Sequence, residues 1–236
     1  QQDFFDTEDK YSRVLQHFKG WFIETETDIF DPEKFTMMDF RKTWENTTSF
    51  TYVLPFTKRK ALVEFTFFTP ELVESEVYES MLREYIEEIL KPGKYQITEK
   101  EGGVIPMSDY PFHKENDWQV IKIGTAGSWV KPSSGYSFKN AERYSQQLIS
   151  NIKSNKIPAA GIPNKKFRFY DSLFLEILQN KNYLGKELFS VMYKKNPVWR
   201  IFRFLDEETT LKEDIKMMSD FNPRPFIRAM VKVIRR

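Results

Sequence analysis

The stretch Ala61-Leu62-Val63-Glu64-Phe65-Thr66-Phe67-Phe68 constrains this chain most. β-branched and aromatic residues dominate it, as they do in strands that bury one or both faces. A second such run, Phe50-Thr51-Tyr52-Val53-Leu54, precedes it, and Pro55-Phe56-Thr57-Lys58-Arg59-Lys60 lies between them, so the two read as a hairpin. After Thr69-Pro70-Glu71 the period changes from two to about four: Val73, Val77, Met81, Tyr85 and Ile89 recur on one side, with Leu82 and Ile86 beside them. Glu74, Glu76, Glu79, Glu87 and Glu88 fall mostly on the other side, so a helix with a solvated acidic face follows the hairpin, starting near Thr69-Pro70 and stopping at Lys91-Pro92-Gly93.

The rest extends this pattern. Gly20-Trp21-Phe22-Ile23-Glu24 reads as a strand, Asp31-Pro32-Glu33 as a turn, and residues 95–98, 104–107 and 119–123 as further strands. Helices are expected over 138–152, 167–178, 184–194 and 210–218, with a short one from Phe226, and residues 158–163 read as a connector. The expected fold class is α+β: an antiparallel or mixed substrate-domain sheet with helices packed on it and a helical C-terminal region. Three parts are expected: a strand-rich substrate-binding part over 1–118, a strand–glycine loop–helix segment over 119–157, and a helical part over 158–236.

Composition limits the function. The chain has 22 Phe among 236 residues, which serves an aromatic-rich core or a cavity for a long oily ligand. The 36 Lys+Arg against 34 Asp+Glu leave a net charge of +2, without the concentrated basic surface that nucleic-acid binding needs. With no Cys there are no thiol nucleophiles, disulfides or Cys-ligated metals. His17 and His113 stand apart, outside any ligand-spaced cluster, so neither a metal site nor a serine–histidine hydrolase is expected. The polar opening Gln1-Gln2-Asp3 is unlike a signal peptide, and no run approaches the ~18 apolar residues of a spanning helix. The chain begins without Met, and the expectation is a piece of a longer protein.

The segment Ile123-Gly124-Thr125-Ala126-Gly127-Ser128-Trp129-Val130-Lys131-Pro132-Ser133-Ser134-Gly135-Tyr136-Ser137-Phe138 places glycines and a Pro turn ahead of a helix. Glycines let backbone approach a ligand, and helix N-termini offer N–H groups to anions. On spacing alone it is equally an ordinary connection, and no G-x-G-x-x-G accompanies it. This segment resembles the second flavin-binding segment of lycopene cyclases, which belong with flavoproteins built like p-hydroxybenzoate hydroxylase. Further stretches resemble blocks of that family in the same order. Gln16-His17-Phe18-Lys19-Gly20-Trp21 and Met38-Asp39-Phe40-Arg41 resemble its early blocks. Leu62-Val63-Glu64-Phe65-Thr66 resembles the catalytic block written Phe-Leu-Glu-Glu-Thr in plant members, and Glu101-Gly102-Gly103-Val104-Ile105-Pro106-Met107 resembles the block before the second flavin segment. Asn196-Pro197 and Arg203-Phe204-Leu205-Asp206-Glu207-Glu208-Thr209 resemble a block of bacterial members. The family's N-terminal dinucleotide fingerprint is absent, and the second acid of the plant block is replaced here by Phe65.

The resemblance implies a lycopene beta-cyclase, an isomerase (intramolecular lyase) of carotenoid synthesis that uses reduced FAD with NAD(P)H as reductant. A proton adds to C2 of a lycopene end group, the C1 cation is attacked by the C5–C6 double bond, and loss of the C6 proton leaves a beta ring. A general acid beside a polyene must hold its proton in a dry site, and desolvation raises a carboxyl pKa. The resemblance gives that role to Glu64; the bare pattern also admits a Glu on a polar strand face. Glu101 is either a second acid–base group or a loop cap. Gly124, Thr125, Ala126, Gly127, Pro132, Ser134, Gly135 and Tyr136 are the implied flavin contacts. Trp21, Tyr52, Phe65, Phe67 and Trp129 are candidates to line the substrate and face its cation, or else ordinary core. Asp39 and Arg41 are expected to form a structural ion pair. The tail from Pro225 to Arg236 mixes apolar and basic residues and reads either as a helix packed on its own domain or as a peripheral contact with the cytoplasmic face of a membrane. A related flavin monooxygenase or halogenase, or a non-catalytic carrier of hydrophobic ligands, is the alternative.

Overall fold

The computed structural model describes residues 10–162 and 164–236. The polar opening Gln1-Gln2-Asp3 and Pro163 of the expected connector lie outside them. Among the described residues there are five strands, β1 (Arg13–Thr25), β2 (Thr36–Asp39), β3 (Ser49–Pro55), β4 (Lys60–Thr69) and β5 (Tyr95–Ser108). Seven helices accompany them: α1 (Ser75–Glu84), α2 (Phe138–Lys153), α3 (Lys165–Asn180), α4 (Gly185–Lys195), α5 (Val198–Leu205), α6 (Leu211–Met218) and α7 (Pro223–Ile234). The strands form one antiparallel sheet in the order β2-β3-β4-β1-β5, and the fold is α+β as expected. The chain divides into two compact units. Among the described residues, one holds 14–106 and 181–187 and contains the sheet and α1; the other holds 10–13, 107–162, 164–180 and 188–236 and contains most of the helices.

In the sheet unit, β4 is the central element, paired with β1 through Gly20↔Glu64 and with β3 through Tyr52↔Glu64. Its side chains alternate between two faces. Ala61, Val63, Phe65 and Phe67 point to the face that α1 covers. There they form a core with Trp21, Ile23 and Val53 of the flanking strands and with Tyr78, Met81, Leu82, Tyr85 and Ile86. These apolar side chains are buried to within a few per cent, and the two-residue and four-residue periods of the sequence meet in this cluster.

Three expectations about the elements need correction. First, α1 starts at Ser75, not near Thr69-Pro70. Thr69 is still paired in β4, opposite Leu15, and its hydroxyl donates to the Glu71 carbonyl at 2.7 Å, so the Thr-Pro turn serves the exit from the strand. Second, β5 runs unbroken through Gly102-Gly103, where a gap between two strands was expected. A Cβ on Gly103 would lie 2.9 Å from the Phe18 ring and one on Gly102 3.1 Å from the Phe18 carbonyl oxygen, so these glycines mark close approach by β1 rather than a turn. Third, residues 119–123 form no strand. The Asp117 carboxylate accepts from the N–H groups of Gln119 and Val120 at 2.7 and 2.6 Å, and the Asn116 side-chain oxygen accepts from Lys122 N–H at 2.8 Å, which satisfies the backbone without a partner strand. Helix α5 was not expected as an element; it buries Ile201, Phe204 and Leu205. The Asp39–Arg41 ion pair forms as expected, at 2.5 Å, and the Tyr85 hydroxyl also donates to Asp39.

His17, on the core side of β1, is 1% exposed and stacks on Phe67. Because the Thr69 hydroxyl donates to Glu71, it accepts from His17 Nε2–H at 2.7 Å, and Nδ1 accepts from the Tyr78 hydroxyl at 2.5 Å. The ring is therefore neutral, and burial pushes its pKa down from 6.5 to about 4, against a backbone contact with Glu71 that pulls it up. In the unfolded chain the ring takes a proton below pH 6.5 that the folded chain refuses until about 4. Stability carried by neutral His17 is thus full above pH 6.5 and is lost as pH falls toward 4, at most about 3 kcal/mol. Denaturant unfolding at pH 7.5 and pH 4.5 is expected to show this loss, and His17→Gln is expected to reduce the difference between the two pH values.

Candidate active site

The second face of the sheet carries the polar exception. Register places Leu62, Glu64, Thr66 and Phe68 of β4 with Gln16, Phe18, Gly20 and Phe22 of β1 and Phe50, Tyr52 and Leu54 of β3. At one end this face is closed: Phe50, Thr66 and Phe68 are buried, and the Phe68 carbonyl accepts from the Asn182 side chain at 2.7 Å. At the other it opens: Phe22 stacks on Phe56 at 5.8 Å, and Leu54 and Phe56 are 45% and 52% exposed. Glu64 sits at the change from closed to open, half-buried among apolar and aromatic side chains.

Burial raises the Glu64 pKa from 4.5 to about 7. The Thr66 hydroxyl, donating to Oε1 at 2.7 Å, opposes the rise, and the charge of Glu101 adds to it. A carboxyl group tuned to neutrality is able to keep its proton at physiological pH and yet release it, the condition for a general acid.

Of the residues singled out from sequence, the structure brings Glu64, Tyr52 and Glu101 together on this open face. Trp21, Phe65 and Phe67 lie on the opposite face, in the core against α1, because they stand an odd number of positions from Glu64 or from its partner Gly20. Trp21 is further enclosed by Arg83 and Lys100 over its ring, at 5.6 and 5.3 Å. Phe18, Gly20, Phe22 and Thr66 were not singled out. Counting in twos from Glu64 identifies Thr66; the β1 set becomes visible only through register.

The glycine segment belongs to the other unit. Gly124–Gly127 forms a single 3₁₀ turn, closed by Gly127 N–H to the Ile123 carbonyl and Trp129 N–H to the Gly124 carbonyl. Gly124 and Gly135 have φ of +59° and +69°, the left-handed region that glycine enters freely. A Cβ on Gly124 would meet nothing within 4 Å, whereas one on Gly127 would lie 2.3 Å from the Lys122 carbonyl oxygen. Gly127 is therefore fixed by packing, and Gly124 borders open space. Thr125, Ser134, Gly135 and Tyr136 are half-buried, Ala126 is exposed, and Pro132 is buried. Ser134 Oγ is buried with no hydrogen-bond partner among the described residues. Tyr136 is pushed up to about 12 by burial and by the neighbouring Asp206. Trp129 packs on Tyr144 and Ile162 in a small core.

Lys131 anchors this loop. It is 1% exposed, its ammonium lies 2.8 Å from Asp171 on α3, and the rings of Phe167 and Phe204 flank it at 5.3 and 5.1 Å. Ser133 donates a hydrogen bond to the same Asp171 carboxylate oxygen, at 2.5 Å. No sequence signal marked Lys131, since a lone Lys after a Val ordinarily faces water.

In the tail, α7 packs Ala229 inward, while Lys232 and Arg236 pair with Glu176, and Arg236 also with Asp109. Ile227, Val231 and Ile234 stay 53%, 43% and 69% exposed, next to the exposed Arg228 and Arg235. No described helix is long and apolar enough to cross a membrane.

Fold and site together define an α+β protein with a half-buried, raised-pKa carboxyl on an open sheet face. Residues 3–231 match the family described as lycopene cyclase protein, and the chain belongs to that family. No curated protein matches it. Among solved structures, a geranylgeranyl bacteriochlorophyll reductase-like protein from Thermoplasma acidophilum is similar at 13% identity with a TM-score of 0.49; the match covers 93% of this chain and 55% of that one. The chain thus spans about half the length of that protein.

The half-buried position of Glu64 has a consequence for stability. Its folded-state pKa lies above the unfolded value, so the protonated form favours folding below pH 4.5, and this contribution disappears as pH rises through 7. Glu64→Gln is expected to stabilise the fold by about 2 kcal/mol at pH 8.5, after allowance for partial solvent screening, and to be nearly neutral at pH 4.5. Denaturant titrations at the two pH values measure the difference; a loss of stability at pH 8.5 would overturn the assignment of a destabilised carboxylate.

Proposed function

We propose that this chain is the substrate-side portion of a flavin-dependent lycopene cyclase and that Glu64 is the acid that starts ring closure. The observation that carries the reading is a half-buried carboxyl on an apolar, partly open sheet face with its pKa raised to about 7. Family membership supports a carotenoid substrate. A polyene end group laid on this face meets Phe18, Phe22, Tyr52 and Leu62, and the only carboxyl drawn in among them from β4 is Glu64. Glu64 donates its proton to C2. The C5–C6 double bond then attacks the C1 cation, with the ring of Tyr52, directly across from Glu64, able to stabilise positive charge, and the C6 proton leaves. Nothing is oxidised or reduced overall.

The glycine segment fits part of a flavin. Gly124 borders open space, the first N–H groups of a 3₁₀ turn have no carbonyl within the turn to bond, and Ser134 Oγ is free to bond a ligand. Gly124, Thr125, Ala126, Ser134 and Gly135 are the residues that would hold it, with Lys131 fixing the loop from beneath. Bound reduced FAD, regenerated by NAD(P)H, would supply an electron-rich ring to stabilise cationic charge.

The substrate is membrane-soluble, and the exposed Ile227, Val231 and Ile234 beside Arg228 and Arg235 suit a peripheral contact with an anionic cytoplasmic leaflet.

In the full-length, flavin-loaded protein, Glu64→Gln is expected to lower the rate of lycopene cyclisation 10²–10⁴-fold, the usual contribution of a general acid, with flavin still bound. Undiminished product by chromatography would remove Glu64 from the mechanism. In flotation assays the chain is expected to rise with vesicles containing anionic lipid and to lose most of that binding in Ile227→Glu/Ile234→Glu; equal recovery with and without lipid would count against the membrane contact.

A further inference from the structure

We propose that Gly20 is a positioning residue: by lacking a side chain it lets Glu101 reach across β1 to Glu64, so that the two carboxyl groups work as one proton-exchanging pair. The proposal deepens the reading of Glu64 as an acid and rests on it for its catalytic meaning, but not for its geometry.

The sheet order places β1 between β5 and β4. Neighbouring strands are about 4.8 Å apart, so backbones two strands apart stand roughly 10 Å from one another, too far for ordinary cross-strand contact. A side chain on the intervening strand would block the path. At the position paired with Glu64 that strand carries Gly20. A Cβ there would lie 3.0 Å from Glu101 Cγ and 3.1 Å from Glu101 Oε1, so the Glu101 side chain lies over the bare backbone of β1. The same Cβ would lie 2.8 Å from Leu62 Cδ1, at the flexible end of that side chain. Gly20 does not have a positive φ, so backbone conformation does not demand glycine here; the space above it does. The effect reaches Glu64, where the charge of Glu101 favours the protonated carboxyl. The other groups facing Glu64 are the Thr66 hydroxyl on its own strand and Tyr52 on β3.

The two acids differ in setting. Glu64 is half-buried and Glu101 is exposed. That difference suits an isomerisation, which takes in one proton and gives one back. The Glu64 O–H bond breaks as a C–H bond forms at C2 of the substrate. When the C6–H bond breaks after ring closure, its proton goes to the Glu101 carboxylate. Transfer from Glu101 to the Glu64 carboxylate restores the starting state, with no proton gained or lost and no external reductant or oxidant. Glu101, at the wet edge, also exchanges protons with water and so recharges Glu64 if its proton is lost.

The test follows the protonation of Glu64 itself, by its infrared carboxyl stretch or by ¹³C NMR of its side chain, in this chain without flavin or substrate. Wild type is expected to titrate near pH 7. Glu101→Gln removes the neighbouring charge and is expected to lower the midpoint by roughly one pH unit. Gly20→Ala and Glu101→Asp are expected to lower it in the same direction, the first by pushing Glu101 aside and the second by keeping its charge while shortening its reach. Should Gly20→Ala fold poorly, Gly20→Ala/Leu62→Ala relieves the Leu62 contact and leaves the conflict with Glu101, while Glu101→Asp keeps the test available in the native backbone. Midpoints unchanged in Glu101→Gln, or a downward shift in Glu101→Gln without one in Glu101→Asp and the Gly20 variants, would overturn the proposal. This titration is independent of turnover: an active Glu64→Gln enzyme would defeat the catalytic reading and leave the coupled pair standing.

Discussion

The sheet unit depends on the packing of one face of β4 against α1 and the π-helical turns Tyr85–Leu90 that continue it. Val63, Phe65 and Phe67 are buried with Leu82, Tyr85 and Ile86, and this apolar contact fixes the strand and its register with β1 and β3. Once that face is committed, period two assigns every other residue to the opposite face. Glu64 is therefore held among Leu62, Thr66 and the aromatic residues of the neighbouring strands, and moving it into open water would require turning the core side outward.

Chemistry follows from that enforced position. The carboxyl has one donor close by, Thr66, which favours its charged form, and this is not enough to offset desolvation and the nearby Glu101. The result is an acid near neutrality. Buried titratable groups elsewhere are resolved differently. His17 is kept neutral by burial and has both ring nitrogens hydrogen-bonded inside the core, and Lys131 is kept beside Asp171 in a pocket of aromatic rings. Those two groups have protein partners on hand and serve architecture. Glu64 faces the open part of a sheet surface, where an incoming molecule completes its surroundings.

Legibility varied with the range of the interactions. The hairpin, the four-residue period of α1 and the α+β class follow from local patterns, and the helices of the second unit appeared within a few residues of their expected limits, α5 excepted. Glu64 stood out because a lone carboxyl in an apolar strand calls for explanation. Where local pattern and long-range contact disagreed, contact prevailed. Gly102-Gly103 resembled a break, but Phe18 of β1 lies against them. Residues 119–123 resembled a strand, but the side chains of Asn116 and Asp117 took their N–H groups. Phe65 and Phe67 resembled a substrate lining because they are aromatic and close to Glu64 in sequence, yet they stand one and three positions away, which puts them on the opposite face, and Trp21 joins them there because it adjoins Gly20, the partner of Glu64.

By itself the sequence determined what short-range physics can settle: which segments alternate, where the period changes from two to four, that an acid sits within an oily strand, and, through motif order, which family the chain resembles. Only the tertiary structure decided which face each residue takes, that Gly20 lies opposite Glu64, and that Lys131 is buried against Asp171. The reason is that strand register and ion pairing join residues far apart in the chain, and their energies depend on distances and burial that no local window of residues contains.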